Sequence, residues 1–154
     1  MKKIFFGIAF IATALLQKGF AQDTTNKQLL TAYYNIKDAL VNSNASSAAA
    51  NASELIKAIN ITDPLILSKE VRANLLKDAG TIAAASDIKL QRERFASLSN
   101  NMFELAKAVK LSPEPVYQQY CPMKKASWLS NSKAIKNPYF GSAMLTCGSI
   151  KTTL

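Results

Sequence analysis

The chain has 154 residues, of which 19 are Lys or Arg and 10 are Asp or Glu, so its formal net charge is +9 at pH 7. Histidine is absent, which excludes Ser-His-Asp and Cys-His catalytic groups and every metal site built on imidazole. No Ser-x-x-Lys motif stands in a recognisable catalytic setting, so we expect a protein that is not an enzyme. No basic run is longer than the pair Lys124 and Lys125, so we interpret the positive charge as a solvated surface and predict no nucleic-acid partner.

Residues 1–22 have the pattern of a signal peptide. Lys2 and Lys3 precede an apolar run over residues 4–16, and the small residues Gly19 and Ala21 follow it. The apolar run is shorter than the roughly 20 residues that a membrane-spanning helix needs. We therefore predict an exported protein with no stable membrane insertion after cleavage.

Residues 23–154 are expected to form a single helical domain with one core. Apolar residues recur at three- and four-residue spacing in four successive segments, which is the period of an amphipathic helix. Polar breaks at residues 42–44, 62–64 and 86–87 separate the segments and provide turns or caps. The predicted helices cover about residues 25–42, 45–60, 64–86 and 88–110. Their short connections predict an all-α fold, an antiparallel four-helix bundle.

The segment 113–154 lacks a helical period, and we predict an irregular C-terminal lobe there. Pro113 and Pro115 end the fourth helix, because each removes an amide donor and restrains the residue before it. Residues 116–120 are aromatic and β-branched enough for a short strand. Residues 144–151 could pair with that strand, so the lobe has the sequence for a short β-hairpin.

Both cysteines of the chain lie in this lobe, and each has a methionine close by. The four sulfur-bearing residues are Cys121, Met123, Met144 and Cys147. Two thiolates and two thioethers form a soft donor set, which Cu(I) accepts readily and zinc accepts poorly. Side chains alternate along an extended chain, so an extended Cys-Pro-Met segment turns its first and third side chains to the same side. Glycines at 141 and 148 permit the tight turns that bring the second pair of sulfurs inward. The pattern predicts a Cu(I) site formed by these four residues.

The two cysteines also suit a disulfide. An exported protein with two cysteines often bridges them. A Cys121–Cys147 bridge would stabilise the fold by about 3–4 kcal/mol, because it lowers the entropy of the unfolded chain. The methionines would then be ordinary core residues. Because Cu(I) requires reduced sulfur, the two interpretations can also describe two redox states of one site.

Several stretches of the sequence resemble a known family. They are Tyr120-Cys121-Pro122-Met123, Trp128-Leu129-Ser130, residues 135–141 and Met144-Leu145-Thr146-Cys147-Gly148 in the lobe, with residues 34–41 and 91–99 in the helices. These stretches resemble the domain of unknown function 3347, which occurs as small exported proteins and as the C-terminal part of heavy-metal efflux adaptor proteins of the copper/silver type. The resemblance implies a periplasmic helical domain associated with metal resistance. It also implies that the four sulfur-bearing residues are the metal ligands.

The resulting hypothesis is a periplasmic protein that binds Cu(I) and buffers it or passes it to a heavy-metal efflux system. The cysteines would be the anionic ligands and the methionines the neutral ones. Tyr120 and Trp128 would shield the site from water and oxygen. The alternative is a structural or protein-interaction domain stabilised by a Cys121–Cys147 disulfide.

Overall fold

The structure is a computed structural model that describes residues 25–154. The predicted signal peptide lies outside the described residues. Four helices come first: α1 over residues 25–41, α2 over Ala45–Ile61, α3 over Lys69–Ala84 and α4 over Ile88–Ala108. The remainder contains β1 (Tyr117–Cys121), β2 (Ala126–Ser130), a 3₁₀ helix (Gly141–Met144) and β3 (Ser149–Thr153). No helix in this part of the chain is both long enough and apolar enough to cross a membrane.

The helices share one apolar core, and the predicted four-helix bundle is confirmed. Leu29, Tyr33, Ile36 and Leu40 of α1 have no exposed surface and lie on one face of the helix. Fully buried side chains from the other helices complete the core, among them Leu55, Ile59, Leu75, Ile82, Phe95, Leu98 and Met102. Burial of this stripe holds the helices together, because helices of this length are marginal on their own in water.

One helix boundary differs clearly from the prediction, because α3 begins well after residue 64. Asp63 instead accepts backbone hydrogen bonds within the turn that follows it. The helix starts only after Ser68, whose hydroxyl oxygen accepts a hydrogen bond from the Val71 N–H at 3.3 Å. Leu67 is buried in the turn, four residues before Val71, so its spacing imitates a helical period. The other predicted boundaries agree within two residues.

The lobe forms an antiparallel sheet of three strands in the order β2-β1-β3. β1 pairs with β3, as predicted for residues 116–120 and 144–151, although β3 begins only at Ser149 and Met144 belongs to the 3₁₀ helix. These two strands are not a hairpin, because β2 lies between them in the chain and the hairpin of the sheet joins β1 to β2. β2 is an additional strand, with Trp128 opposite Gln119 of β1. The sequence does not predict β2, because Trp128, Leu129 and Ser130 are all buried and the alternating pattern of a half-buried strand is missing.

Aromatic rings and one hydroxyl group hold the lobe against the helices. Tyr33 of α1 stacks on Phe95 of α4, with ring centroids 5.2 Å apart. Phe95 in turn lies 6.0 Å from Tyr139, and Tyr139 lies 6.0 Å from Trp128. The Tyr33 hydroxyl accepts a hydrogen bond from the Leu129 N–H at 3.0 Å. The orientation of the sheet relative to the bundle is thereby fixed.

Arg92 of α4 joins the loop of the lobe to the end of α1. Its Nε donates to the Pro138 carbonyl at 2.9 Å, and one Nη donates to the Leu40 carbonyl at 2.9 Å and to the Ser43 hydroxyl at 3.0 Å. A cation at the last carbonyls of a helix is also favoured by the helix dipole. Gly141 makes room for this side chain, since a Cβ there would lie 2.8 Å from the Arg92 Nη.

Replacement of Arg92 by lysine is expected to lower the free energy of unfolding by about 1–2 kcal/mol. A single ammonium group cannot reach three oxygen acceptors that a planar guanidinium spans. Arg94→Lys is the matched control, because Arg94 is exposed on the same helix, and it should change stability by less than about 0.5 kcal/mol. Urea unfolding followed by circular dichroism measures both, and equal stabilities of the two variants would contradict the linking role of Arg92.

Candidate metal centre

The two cysteines meet where β1 ends and β3 is about to begin. Cys121 is the last residue of β1, and Cys147 lies shortly before Ser149, the β3 residue that pairs with Tyr120. The two Sγ atoms are 3.2 Å apart across 26 residues of sequence, and both are free thiols. The structure therefore brings together the two sulfur atoms that the sequence singles out as anionic ligands.

Gly148 allows this close approach. Its φ of +155° lies in a region that side chains rarely adopt. A Cβ at this position would lie 2.9 Å from the Trp128 ring and 3.0 Å from the Tyr120 carbonyl oxygen. The loop that carries Cys147 is thus pressed onto β1 and β2 at a point where only glycine fits.

The two thiols differ in exposure. Cys121 has no exposed surface, whereas Cys147 is half-buried and keeps part of its surface in solvent. Any ion or reagent from solvent therefore meets Cys147 first.

Hydrogen-bond donors converge on the Cys121 sulfur. They are the backbone N–H of Lys124, the Cys147 thiol, the Asn137 side-chain amide and the backbone N–H of Met123. Burial raises the pKa of the Cys121 thiol, but these donors outweigh it and hold the pKa below its usual value. The pKa of Cys147 is raised, first by its hydrogen bond to Cys121 and then by burial. Of the two thiols, Cys121 is therefore the one that loses its proton more readily.

Asn137 organises the loop around the cysteines. It is fully buried, its Nδ2 donates to the Cys147 carbonyl at 2.9 Å, and its Oδ1 accepts from the Tyr139 N–H at 2.8 Å. Its own N–H donates to the Leu145 carbonyl at 2.8 Å. The sequence pattern does not identify Asn137 as a site residue. The signal that could indicate it is the Asn-Pro pair with Pro138, which marks a turn.

The two methionines occupy different environments. Residues 122–125 form a turn after β1, so the Cys-Pro-Met segment lacks the extended form that would turn the Cys121 and Met123 side chains to the same side. The Met123 side chain is 67% exposed, and what this residue directs at the cysteines is its backbone N–H. Met144 ends the 3₁₀ helix, and its carbonyl accepts the Cys147 N–H at 3.0 Å. Cys147 lies three residues beyond the end of this helix, so the turn joins the two residues through their backbone.

The two aromatic residues predicted to shield the site also differ. Trp128 is 1% exposed and lies directly beneath Gly148, the neighbour of Cys147. Tyr120 is only half-buried, with the Lys151 Nζ 5.3 Å from the centroid of its ring. Trp128 is therefore in position to exclude water from the inner side of the loop, while Tyr120 borders solvent.

Positive charge is concentrated in the lobe. Residues 113–154 contain five lysines and a single acidic residue, Glu114. Lys124 and Lys125 lie in the turn that follows Cys121. The three salt bridges of the described chain all join residues of the helices, so no such bridge neutralises the lysines of the lobe. The surface of the lobe consequently carries a net positive charge, which favours anions.

Within residues 25–154, no group of three or more His, Cys, Asp or Glu side chains is placed to hold a metal ion. That part of the chain offers no cluster of the kind that structural zinc needs. A metal ion at the sulfur pair would depend on two thiolates, with thioether sulfur as the additional soft donor.

The structure defines the class of this domain. It is a four-helix bundle that carries a small antiparallel sheet with two thiols at one end. A family model described as "Protein of unknown function (DUF3347)" matches residues 29–114. The match covers more than half of the chain, so the protein belongs to this family. It spans the helices and ends before β1, so it does not include the cysteines. No curated protein and no solved structure matches the chain.

Proposed function

We propose that this protein binds one Cu(I) ion through Cys121 and Cys147, and that after export to the periplasm it buffers the ion or delivers it to a heavy-metal efflux system. It acts as a binding protein and not as an enzyme. The observation that supports the proposal best is the convergence of two thiol sulfurs, 3.2 Å apart, under donors that stabilise a thiolate. Thiolate sulfur is the donor that soft Cu(I) prefers.

Copper binding requires the two sulfurs to separate. A metal–thiolate bond is about 2.3 Å long in zinc sites, so an ion lying between the sulfurs holds them farther apart than the present 3.2 Å. Cys147 is the residue that moves, because it is half-buried in a loop while Cys121 is fully buried in β1. The pair therefore opens toward solvent, the side from which the ion arrives.

The methionines serve as neutral ligands. The Met144 carbonyl accepts the Cys147 N–H, so Met144 is close to Cys147 along the chain and adds its thioether to the opened pair. Met123 is exposed in the turn that follows Cys121, and in this proposal its thioether contacts the ion as it enters or leaves. Neutral soft ligands hold Cu(I) less tightly than thiolates, which suits a protein that must release its metal.

A second function is favoured by the same short distance. A disulfide bond is about 2.0 Å long, so an approach of about 1 Å would join the two sulfurs. In this alternative the protein is a structural or interaction domain whose Cys121–Cys147 bridge stabilises the lobe. Reduction should then lower the melting temperature sharply, and copper should change nothing.

Competitive Cu(I) titration of the reduced protein tests the proposal. We expect one Cu(I) per chain in the wild type and a loss of affinity of at least about 100-fold in Cys121→Ser and in Cys147→Ser, more than the cost of altering groups outside the ligand set. Met123→Leu with Met144→Leu should cost about tenfold. Met102→Leu is the matched control, because Met102 is buried in the helical core, and it should bind as the wild type does. Absence of binding after reduction, or unchanged affinity in both cysteine variants, would refute the proposal.

A further inference from the structure

We propose that Cys121 and Cys147 form a disulfide that exchanges with external thiols at Cys147 only. Cys147 is the entry sulfur, which forms the mixed disulfide, and Cys121 is the internal sulfur, which leaves and returns. The difference in burial between two sulfurs that lie 3.2 Å apart carries this inference. It gives the pair a reaction of its own, which requires no metal.

Access decides which sulfur is attacked. In thiol–disulfide exchange the incoming sulfur must reach the sulfur it attacks, on the side away from the leaving sulfur. Cys121 has no exposed surface from which an external thiol could approach. Cys147 is half-buried, in the loop between the 3₁₀ helix and β3. An external thiol can therefore form a bond to Cys147 and not to Cys121.

Hydrogen-bond donors of the protein already surround the leaving sulfur, Cys121 Sγ. The external thiolate forms a bond to Cys147 Sγ, the Sγ–Sγ bond breaks, and its electron pair departs on Cys121 Sγ. The backbone N–H groups of Met123 and Lys124 and the Asn137 amide point at that atom and stabilise the new negative charge by hydrogen bonding. The broken bond is thus replaced by charge-assisted hydrogen bonds that are in place beforehand.

A second external thiolate completes the reaction. It attacks the external sulfur of the mixed disulfide and releases Cys147 as a thiolate. In total, two external thiols are oxidised to one disulfide, the Cys121–Cys147 disulfide is reduced to two thiols, and the two protons pass from the external thiols to the cysteines or to water. An external disulfide oxidises the pair by the same steps in reverse: Cys121 attacks the Cys147 sulfur of the mixed disulfide, and the external thiolate leaves. In the reduced pair the two sulfurs lie 3.2 Å apart.

The charge of the lobe selects the class of partner. Lys124 and Lys125 follow Cys121, Lys136 precedes Asn137, and Glu114 is the single acidic residue of segment 113–154. A thiol of net negative charge, such as glutathione, is therefore favoured over a cationic thiol. This preference should weaken as salt screens the lysines.

Exchange at Cys147 also has a consequence for the metal site. In the disulfide form neither sulfur is a thiolate, so the pair cannot bind Cu(I). The redox state of the external thiols then decides whether the site is open to copper. This consequence rests on the proposed function, whereas the exchange itself does not.

Single-cysteine variants without metal test the entry sulfur directly. Cys121→Ser and Cys147→Ser are incubated with glutathione disulfide, and the mixed disulfide is followed by intact-protein mass spectrometry. We expect Cys121→Ser, which keeps Cys147, to react at least about tenfold faster than Cys147→Ser. In concentrated urea the two rates should converge, because unfolding removes the difference in burial. Equal rates in the folded variants, or a faster reaction of Cys147→Ser, would overturn the proposal.

The oxidised wild type provides a test that does not depend on either variant folding. After brief reaction with reduced glutathione and quenching with acid, peptide mapping should find glutathione on Cys147, and glutathione on Cys121 would overturn the assignment. Cystamine, a cationic disulfide, should react more slowly with Cys121→Ser than glutathione disulfide does, and a faster reaction would overturn the charge preference. Because copper is absent throughout, failure here leaves the Cu(I) titration to be judged separately.

Discussion

Replacement of Trp128 by alanine is expected to lower the free energy of unfolding by about 3–5 kcal/mol, the largest effect that we expect for a single substitution in the lobe. Trp128 is 1% exposed, its ring centroid lies 6.0 Å from that of Tyr139, and its ring reaches to the backbone at Gly148. The indole fills the space between the sheet and the loop of Cys147. Its removal leaves a cavity beneath Gly148, the neighbour of Cys147, so Cu(I) affinity should fall together with stability.

Trp128→Phe separates the volume of the indole from its polar group. The Trp128 Nε1 finds no hydrogen-bond partner among the described residues, so phenylalanine gives up no hydrogen bond there. We expect a cost of about 1–2 kcal/mol for this variant. Circular dichroism in urea is the appropriate measurement, because both variants lack the only tryptophan of the chain and with it the fluorescence signal. A cost below about 1 kcal/mol for alanine would contradict the packing role.

Asn137→Ala is expected to cost about 2–4 kcal/mol and to raise the pKa of the Cys121 thiol. The variant leaves the Cys147 carbonyl and the Tyr139 N–H without their buried partner, and each such loss costs about 1–3 kcal/mol. It also removes one of the donors that lower the Cys121 pKa. At a pH below the new pKa, less thiolate is available for copper.

The control for this variant is Asn131→Ala, because Asn131 is an exposed asparagine of the same lobe. It should alter stability by less than about 0.5 kcal/mol and leave the thiol pKa unchanged. Stability is measured by urea unfolding, and the thiol pKa by thiolate absorbance in the ultraviolet as pH is varied. An Asn137→Ala protein with the wild-type thiol pKa would show that the amide does not act on Cys121.

The helices could be predicted well because their stability comes from an apolar stripe that the sequence displays directly. α4 begins at Ile88, as its period indicates, with Asp87 as the N-cap. The start of α3 could not be predicted, because Leu67 is buried by tertiary packing in a turn. β2 carries no alternation, because Trp128, Leu129 and Ser130 are buried one after another.

For the candidate site, the sequence could predict which residue types take part but not how they are arranged. Cys121 and Cys147 are the only cysteines of the chain, so only one cysteine pair is possible. The shape of the turn after β1 could not be predicted in this way. Lys125 adopts a left-handed φ of 56° there, although the turn contains no glycine or asparagine, the residues that usually adopt this conformation. That turn leaves Met123 exposed. The role of Asn137 depends on buried hydrogen bonds, which exist only once the loop has folded.

X-ray absorption spectroscopy of the reduced protein loaded with one Cu(I) tests the central claim most directly, namely that copper is held by Cys121 and Cys147. We predict a first coordination shell that consists of sulfur alone, and the loss of this shell in the Cys121→Ser/Cys147→Ser double variant. A first shell dominated by nitrogen or oxygen, or a spectrum that the double variant leaves unchanged, would contradict the claim and place the copper elsewhere on the protein.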